Sequence, residues 1–431
     1  MSQNTIPIPQ QEDRSVTSNN VLEILKQSFE EVVPSEDART AINPLSFVVT
    51  FVFCYLGDSK TFSLESIRRF MMAALEQTIS RSAFWERLAG NRLKHYLHLI
   101  LAKLMIGFAT SLSIGGQLLT QMGVTSILLH DSSSIMLLSK AKDNFPGTFT
   151  DAGIKWHATF DLLKGTLTWF QLTPSSTHDR KCFPPLEMLK GVLIIFDLGY
   201  WDYGLLYAID KAEGFFLSRV RSDAVIYIKE VIQGLPQKVA GKSLLSLNLS
   251  NNNGCLIEVI MHKLHDGHSL NYRVIGFWNP ITKEHHWYIT NLLIAAHLIY
   301  PLYRLRWQIE LIFKACKSSL NANQITSGDK NIIESLLLAS IIAHLSTYTI
   351  FAIGMEQMAE EQQWAVSFQR IAKVAVLLAR EFILFLLNSS QEYIDTLVRK
   401  IRLFADELYD PNYKKRESSV ARVNRLLSEG G

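Results

Sequence analysis

The 431-residue sequence predicts an α/β protein, α+β overall, in which a mixed-sheet core with a β-rich insertion lies between helical N-terminal and C-terminal regions. Two continuous apolar runs, at 127–129 and 192–196, are typical of central strands covered on both faces. Short, partly alternating runs broken by Gly, Pro and Asn fill residues 222–288 and indicate further strands. Helical patterns dominate both ends of the chain.

The N-terminal part combines a polar leader with a basic helical pair. Residues 1–19 are rich in Ser, Gln, Asn and Pro, which predicts disorder, and they lack the apolar segment of a signal peptide. Two helical patterns then meet at 78–80, with Ser80 or Ser82 as the N-cap of the second. A helix-turn-helix that contacts DNA and an ordinary helical hairpin both fit this pattern. The basic residues are Arg68, Arg69, Arg81, Arg87, Arg92 and Lys94.

Asp131 and Asp197 each follow one of the two buried apolar runs. We expect both carboxylates just past a strand end, at the rim of the sheet, where open α/β sheets bind ligands. A turn residue or a helix cap explains either aspartate taken alone. The interval between them accommodates a hairpin, then a helix, then the second strand, whereas the interval from Asp197 to Glu310 is too long for one connection in a compact domain. The β-rich insertion therefore falls in the second interval.

Tyr303, Arg306, Glu310 and Lys317 are spaced to share one face of a single predicted helix. At about 100° per residue their side chains fall within a sector of about 60°. A solvated helix with an i,i+4 ion pair between Arg306 and Glu310 explains the same spacing. The apolar residues predicted to pack the other side against a core are Leu305, Ile309, Ile312, Phe313 and Cys316.

The ungapped order of Tyr, Arg, Glu and Lys over residues 303–317 resembles the C-terminal catalytic block of the DDE transposases of the insertion sequence four family. The segments that begin at Asp131 and Asp197 resemble the first two acidic motifs of that family, and residues 177–179 match the region between them. Leu198 departs from the basic or polar residue that many relatives carry, which leaves one flanking contact open. The likeness runs from about residue 125 to residue 320.

This resemblance implies a ribonuclease H-like core in which Asp131, Asp197 and Glu310 are catalytic and hold two Mg²⁺ or Mn²⁺ ions. Carboxylate oxygens suit these cations, and paired ions can activate the attacking oxygen and stabilise the leaving oxygen of a phosphate. Asp131 would bridge the two ions. The DNA phosphate would then be bound by a guanidinium, an ammonium and a hydroxyl, those of Arg306, Lys317 and Tyr303.

The same resemblance implies that the insertion helps to hold a DNA end, with an aromatic side chain stacked on a flipped base. Trp278 and Trp287 are the candidates for this contact. Stacking at about 1–3 kcal/mol per base would offset part of the cost of unstacking. Packing inside the sheet is the alternative for each tryptophan.

Five parts are expected along the chain. They are a disordered leader (1–19), a helical DNA-binding region (20–118), a ribonuclease H-like catalytic domain (119–221 and 289–330), a β-rich insertion domain (222–288), and a helical C-terminal region (331–431) for dimerisation or DNA contact. A basic tail after residue 410 could touch the DNA backbone or form a solvated helix.

With this resemblance, these features predict a transposase that binds the terminal inverted repeats of its insertion sequence, cleaves the DNA there and joins the ends to target DNA. The resemblance implies a cut-and-paste route with double-stranded DNA as partner, both transposon ends and target, and a second copy of the chain in a synaptic homodimer. An inactive transposase-derived DNA-binding protein and a metal-dependent nuclease without strand transfer are the alternatives.

The resemblance implies a bacterial, cytoplasmic, nucleoid-associated protein, and the composition is compatible with one that has no membrane span. The net charge of +3 is small, so any surface that attracts DNA must be local. Four isolated cysteines suit a reducing compartment. Residues 335–354 contain no Lys, Arg, Asp or Glu and are long enough for one transmembrane span. A long helix buried beneath the sheet is the preferred interpretation of that segment.

Overall fold

A single mixed sheet organises the middle of the protein, and helices from both ends of the chain pack around it. The computed structural model describes residues 18–35, 42–54, 63–107, 123–162, 166–320, 325, 327–356, 368–388, 390–404, 407 and 425. The strands are β1 (Ser126–Leu137), β2 (Ala152–Asp161), β3 (Thr166–Pro174), β4 (Val192–Phe196), β5 (Phe215–Arg219), β6 (Tyr227–Gln233), β7 (Ile257–His265), β8 (His268–Leu270), β9 (Arg273–Asn279) and β10 (Glu284–Thr290).

Helices occupy the N-terminal region, the stretch after β4 and the C-terminal part of the described chain. They are α1 (Ser18–Glu30), α2 (Pro44–Phe53), α3 (Leu64–Leu75), α4 (Arg81–Ala89), α5 (Asn91–Gly107), α6 (Tyr203–Lys211), α7 (Ile299–Arg304), α8 (Trp307–Leu320), α9 (Lys330–Glu356), α10 (Phe368–Leu377), α11 (Ala379–Leu387) and α12 (Gln391–Leu403).

The first five strands have the order β3-β2-β1-β4-β5, with the β1–β2–β3 meander antiparallel and β4 and β5 parallel to β1. This is the arrangement of a ribonuclease H-like core, so the predicted fold class is confirmed. The predicted hairpin corresponds to β2 and β3. The helix predicted before β4 is wrong, because residues 175–191 contain only two short 3₁₀ turns, Asp179–Lys181 and Leu186–Leu189.

Two hydrophobic layers cover the central strands, which explains why their sequences are continuously apolar. Along β4 the side chains alternate: Leu193 and Ile195 join the larger core with the helices, while Ile194 and Phe196 join the smaller core on the other face. Strand β1 divides in the same way before Asp131 is reached. The position of a residue along β1 or β4 therefore decides whether its side chain lies on the face with the larger core or on the face with the smaller core.

The β-rich segment extends the same sheet, because β10 pairs antiparallel with β5 and is followed by β9, β7 and β6. The strand expected within 244–250 is absent among these described residues and is replaced by the 3₁₀ turns Leu244–Ser246 and Ser250–Asn252. Local side-chain hydrogen bonds favour the turns, as when Ser246 Oγ donates to the Ser243 carbonyl at 2.8 Å. The boundary predicted after residue 288 lies inside β10, and the division into domains stays a prediction.

The second helix of the predicted basic pair is divided at Gly90 into α4 and the start of α5, so Arg92 and Lys94 lie on α5. Ser80 is the N-cap of α4, where its Oγ accepts the Ala83 N–H at 3.2 Å. Part of the positive charge of these helices is paired within the protein. Glu65 forms ion pairs with Arg68, Arg69 and Arg81. DNA contact by this pair stays a prediction, and any such contact must compete with the carboxylate of Glu65.

The long apolar helix α9 packs against other helices, among them α5, α2, α8 and α10, and not beneath the sheet as the sequence suggested. Its first half is buried on all sides, which removes the need for a polar face. Within the described ranges, no helix combines the length and apolar character required to cross a membrane. Residues 1–17 of the predicted leader and most of the basic tail, 408–424, lie outside the described residues.

Candidate active site at the end of the parallel strands

Asp131 and Asp197 lie side by side where the parallel pairing of β1 and β4 ends. The last paired residues are His130 and Phe196, so the next position on each strand is an aspartate. Asp197 directly follows β4, as predicted. Asp131, however, lies within β1 and not after it, because β2 continues to pair with β1 as far as Leu137. The strand-end prediction for Asp131 is wrong, although this aspartate does lie at the end of the parallel pair.

The four polar residues of 303–317 do not share one helix: Tyr303 lies in α7, Arg306 in the turn that follows it, and Glu310 and Lys317 in α8. Helix α7 ends at Arg304 and α8 begins at Trp307, and the junction is tightened by i→i+3 bonds such as Arg306 N–H to the Tyr303 carbonyl at 3.1 Å. The single-helix prediction is therefore wrong. The apolar side is as predicted, since its members are buried: Leu305, Ile309, Ile312, Phe313 and Cys316.

Despite the break, the polar side chains approach the two aspartates. The Tyr303 hydroxyl donates to Asp197 Oδ1 at 3.1 Å. The Arg306 guanidinium bridges two carboxylates, with Nη1 at 2.5 Å from Asp131 Oδ2 and Nη2 at 2.5 Å from Glu310 Oε1. Arg306 is thus the cation that links the first and third acidic residues.

Burial dominates the electrostatics of this cluster. Burial raises the pKa of Asp131 to about 7, against the opposing effects of Arg306 and the Ser132 N–H, while Asp197 and Glu310 raise it further. Burial alone would lower the pKa of Arg306, but Asp131 and its other partners raise it overall. Burial lowers the pKa of Lys317, and Asp131 opposes that shift.

The raised pKa of Asp131 predicts a pH-dependent stability of the metal-free protein. Unfolded, this carboxyl titrates near pH 4, so between about pH 4 and 7 the folded state binds more protons than the unfolded state. The Asp131 carboxyl therefore contributes to the free energy of unfolding below pH 4, and this contribution is lost as the pH rises through 7. Denaturant unfolding of Asp131→Asn protein should therefore show a shallower decline over this range than wild type. If the free energy of unfolding falls equally with pH in the two proteins, the raised pKa of Asp131 would be contradicted.

One open cavity of about 480 Å³ collects most of the predicted site residues. Its lining contains Asp131, Ser132, Ser133, Asp197, Arg306, Glu310, Phe313, Lys314 and Lys317. Tyr303 contacts this site through Asp197 without being part of that lining. Lys314 is an addition that the sequence argument missed, although its position four residues after Glu310 on a helix was a usable signal.

The donor set fits hard divalent cations, because the three carboxylates offer only oxygen. Among the described residues no group of three acidic, histidine or cysteine side chains converges closely enough to hold an ion as it stands. The reason lies in the geometry, since the guanidinium of Arg306 occupies the space between Asp131 and Glu310. Arg306 thus lies between the first and the third carboxylate of the site.

The two candidate stacking residues have different surroundings. Trp287 is 9% exposed and belongs to the smaller core, where a Cβ added at Gly276 would lie 2.5 Å from Trp287 Cζ3. Trp278 is half-buried, with its ring centroid 5.2 Å from that of His285. Base stacking by either residue stays a prediction, and Trp278 has the more accessible ring.

Replacing Trp287 by alanine is expected to lower the free energy of unfolding by about 3–5 kcal/mol, because it empties a filled core position. Trp278→Ala is the matched control and should cost less than half as much, since part of its ring already faces solvent. Denaturant unfolding of both variants measures this difference. Equal losses would show that Trp287 is not the core residue described above.

Behind the aspartates lies a polar network that the sequence argument did not assign. Lys155 Nζ lies 2.9 Å from Asp179 Oδ1, and the Ser132 hydroxyl donates to the same oxygen at 3.2 Å. Deeper in the sheet, the ring of His157 is 3.1 Å from the Tyr200 hydroxyl, and burial lowers the pKa of His157 to about 4. The polar residues Lys155 and His157 within strand β2 were the available signal.

This combination defines a class of protein: a ribonuclease H-like enzyme of DNA phosphoryl transfer, with paired aspartates at adjoining strands and a glutamate on a later helix. The family model described as Transposase DDE domain matches residues 123–345, more than half of the chain. The chain belongs to the DDE transposase family. Enzymes of this family act on DNA and generally use divalent metal ions.

Similar proteins carry names that agree with this assignment. The transposase for insertion sequence element IS1151 of Clostridium perfringens is 25% identical over 362 residues, covering 70% of this chain and 73% of that protein. The transposase for IS231F of Bacillus thuringiensis subsp. israelensis is 22% identical over 358 residues, with coverages of 72% and 73%. Among solved structures, the piggyBac transposase synaptic complex with hairpin DNA matches at a TM-score of 0.45 and 10% identity, over 89% of this chain and 82% of that chain.

Proposed function

We propose that the protein binds the terminal inverted repeats of its own insertion sequence, cleaves the DNA there and joins the ends to target DNA in a cut-and-paste reaction. The observation that supports this proposal is that one open cavity, in a chain of the DDE transposase family, is lined by Asp131, Asp197 and Glu310. The relatives named as transposases for insertion sequence elements support the choice of substrate.

In this proposal Asp131, Asp197 and Glu310 are the metal ligands and would hold two Mg²⁺ or Mn²⁺ ions. Such ions, when bound, activate a water or a 3′-hydroxyl and stabilise the leaving oxygen. Asp131 is more buried than Glu310, with side chains 13% and 41% exposed, and it is fixed by the backbone N–H of Ser132 at 2.8 Å. Tyr303 orients Asp197 through its hydroxyl. The chain thus holds its carboxylates in place before DNA arrives.

In this proposal the DNA phosphate is bound by Arg306, Lys317 and Tyr303. Lys317 lines the cavity and, within the described part of the chain, has no ion-pair partner, so its ammonium is available to a phosphate. Arg306 must leave Asp131 and Glu310 before it can grip a phosphate bidentately. DNA binding and the release of the carboxylates are therefore coupled through one side chain.

The synaptic complex would contain two copies of the chain and two transposon ends, with Trp278 or Trp287 stacked on a flipped base. A cytoplasmic, nucleoid-associated location follows from the proposed substrate, since the element resides in the bacterial chromosome. The proposal thus covers the assembly of the protein on DNA and its location in the cell, as well as its chemistry.

Product analysis tests the proposed reaction. Labelled DNA carrying the terminal repeats is incubated with the protein, Mg²⁺ and a supercoiled target plasmid, and joined products are separated from simple cleavage products. A transposase yields both excision and labelled plasmid. Cleavage without joining would favour the nuclease alternative, and specific binding without cleavage would favour the inactive DNA-binding alternative; either result would overturn the proposal.

The proposed phosphate contact of Lys317 predicts a change in salt dependence. Lys317→Ala should weaken binding to the transposon end and reduce the slope of log K against log salt by about 0.9, the value for one lost phosphate contact. The matched control is Lys190→Ala, at the opposite end of β4 and paired with Glu213. Its slope should equal that of wild type. An unchanged slope for Lys317→Ala would remove this residue from the DNA interface.

A further inference from the structure

We propose that Asp179 is a positioning residue, which fixes the two catalytic aspartates relative to each other from the opposite face of the sheet. The inference rests on the proposed function, in which Asp131 and Asp197 are metal ligands. Asp179 is absent from the lining of the cavity that contains them and lines a separate cavity of about 740 Å³. It would therefore act through the backbone beside each ligand, without contact to metal or DNA.

The first contact reaches the strand that carries Asp131. Ser132 is the next residue on β1, and neighbouring side chains on a strand point to opposite faces. Its hydroxyl donates to Asp179 Oδ1 at 3.2 Å, while its N–H donates to Asp131 Oδ1 at 2.8 Å. One residue thus connects Asp179 to the carboxylate of Asp131, and holding its side chain holds that N–H.

The second contact reaches the turn that follows Asp197. The 3₁₀ turn Leu198–Tyr200 begins directly after this aspartate, and the Tyr200 N–H donates to the Asp197 carbonyl at 3.1 Å. A Cβ built on Gly199 would lie 3.2 Å from Asp179 Oδ2, so the carboxylate rests against the backbone of the turn. Asp179 therefore touches the chain next to both metal ligands.

A third contact fixes Asp179 itself. Lys155 Nζ lies 2.9 Å from Asp179 Oδ1 and donates to the Thr177 carbonyl at 2.9 Å. The side chains of the pair are 12% and 26% exposed, which limits screening by solvent. Lys155 lies on β2 opposite Ser134, so the pair is anchored in the strand that holds β1 beyond the parallel pairing. The geometry is that of a clamp across the two catalytic strands.

Manganese binding to the purified full-length protein without DNA tests this clamp, measured by isothermal titration and by the electron paramagnetic resonance signal of free Mn²⁺. Asp179→Ala should weaken binding about tenfold, the lower end of the loss found when a residue supporting a metal ligand is removed. Asp179→Asn keeps an acceptor for Ser132 and should fall between Asp179→Ala and wild type. Thermal unfolding of each variant establishes that the fold is retained.

Lys155→Met separates positioning from charge. If Asp179 acted only as a distant negative charge, removal of the nearby Lys155 would tighten Mn²⁺ binding. A clamp predicts the opposite, because Asp179 then loses its anchor and binding weakens. Asp223→Asn is the control, since Asp223 lines the same cavity at an exposed rim, paired with Arg221, and should bind Mn²⁺ as wild type does.

The outcomes distinguish this inference from the proposed function. Asp131→Asn should abolish most Mn²⁺ binding, and an unchanged affinity there would overturn the metal assignment itself. Weakened binding in Asp131→Asn with wild-type affinity in Asp179→Ala, or tighter binding in Lys155→Met, would overturn the clamp alone. If Asp179→Ala fails to fold, Asp179→Asn and Lys155→Met decide the question in the same way.

Discussion

Asp131→Asn protein is expected to cleave transposon-end DNA at least about 10³-fold more slowly than wild type, because even one lost group that stabilises a transition state costs about 10²–10³. The substitution keeps the shape of a side chain that is 13% exposed, and its Oδ1 still accepts the Ser132 N–H. What it removes is the negative charge of a proposed metal ligand. The single-turnover rate of strand cleavage on labelled end DNA, with saturating Mg²⁺, is the measurement.

The control for this experiment is Asp202→Asn, which removes a nearby charge without touching the site. Asp202 caps α6 by accepting the Leu205 N–H at 3.1 Å, and asparagine caps a helix equally well. Its cleavage rate should stay within about twofold of wild type, an effect below ~0.5 kcal/mol. Cleavage by Asp131→Asn at a rate near that of the control would refute the catalytic assignment of Asp131.

Arg306→Ala is expected to change metal binding and DNA binding in opposite directions. Removing the guanidinium frees Asp131 and Glu310, so Mn²⁺ should bind more tightly to the DNA-free protein. Binding to transposon ends should weaken, with a smaller salt slope, because a phosphate contact is lost. Without metal and above about pH 7, where the Asp131 carboxyl is ionised in the wild type, the variant should also lose stability, by up to about 3–5 kcal/mol, since a buried carboxylate is left without its partner.

Arg304→Ala serves as the control for the metal arm of this experiment. It removes the same charge from the end of α7, where no carboxylate of the site contacts it. Its affinity for Mn²⁺ should equal that of wild type. Weaker Mn²⁺ binding by Arg306→Ala would show that the guanidinium organises the carboxylates rather than competing with the ion.

The core of the fold could be predicted because each central strand is marked by a short, local sequence pattern. Short continuous runs of Val, Ile and Leu are typical of strands covered on both faces, and β1 and β4 have that burial. The junction between α7 and α8 was not visible, because no Pro or Gly marks it and the break is a tightening of hydrogen bonds at Leu305 and Arg306. Helical spacing alone therefore predicted one continuous helix for the four side chains, whereas the chain turns between α7 and α8.

The contacts made by the predicted site residues could not be read from the sequence. The bridge made by Arg306 to Asp131 joins residues far apart in the chain, and no spacing rule reports such a contact. Asp179 lay in a segment that resembled the family, yet its link to Ser132 depends on which face of β1 each side chain takes. Strand register decides that question, and a one-residue shift would reverse it.

The central claim is that Asp131, Asp197 and Glu310 together hold the ions that act on DNA. Anomalous scattering from crystals of the protein bound to a cleaved transposon end and Mn²⁺ locates those ions directly. The account predicts manganese peaks liganded by all three carboxylates, with Asp131 shared between them and Arg306 moved onto a phosphate. Manganese bound to the DNA end without these carboxylates, or Arg306 still paired with Asp131 and Glu310 beside the cleaved strand, would contradict it.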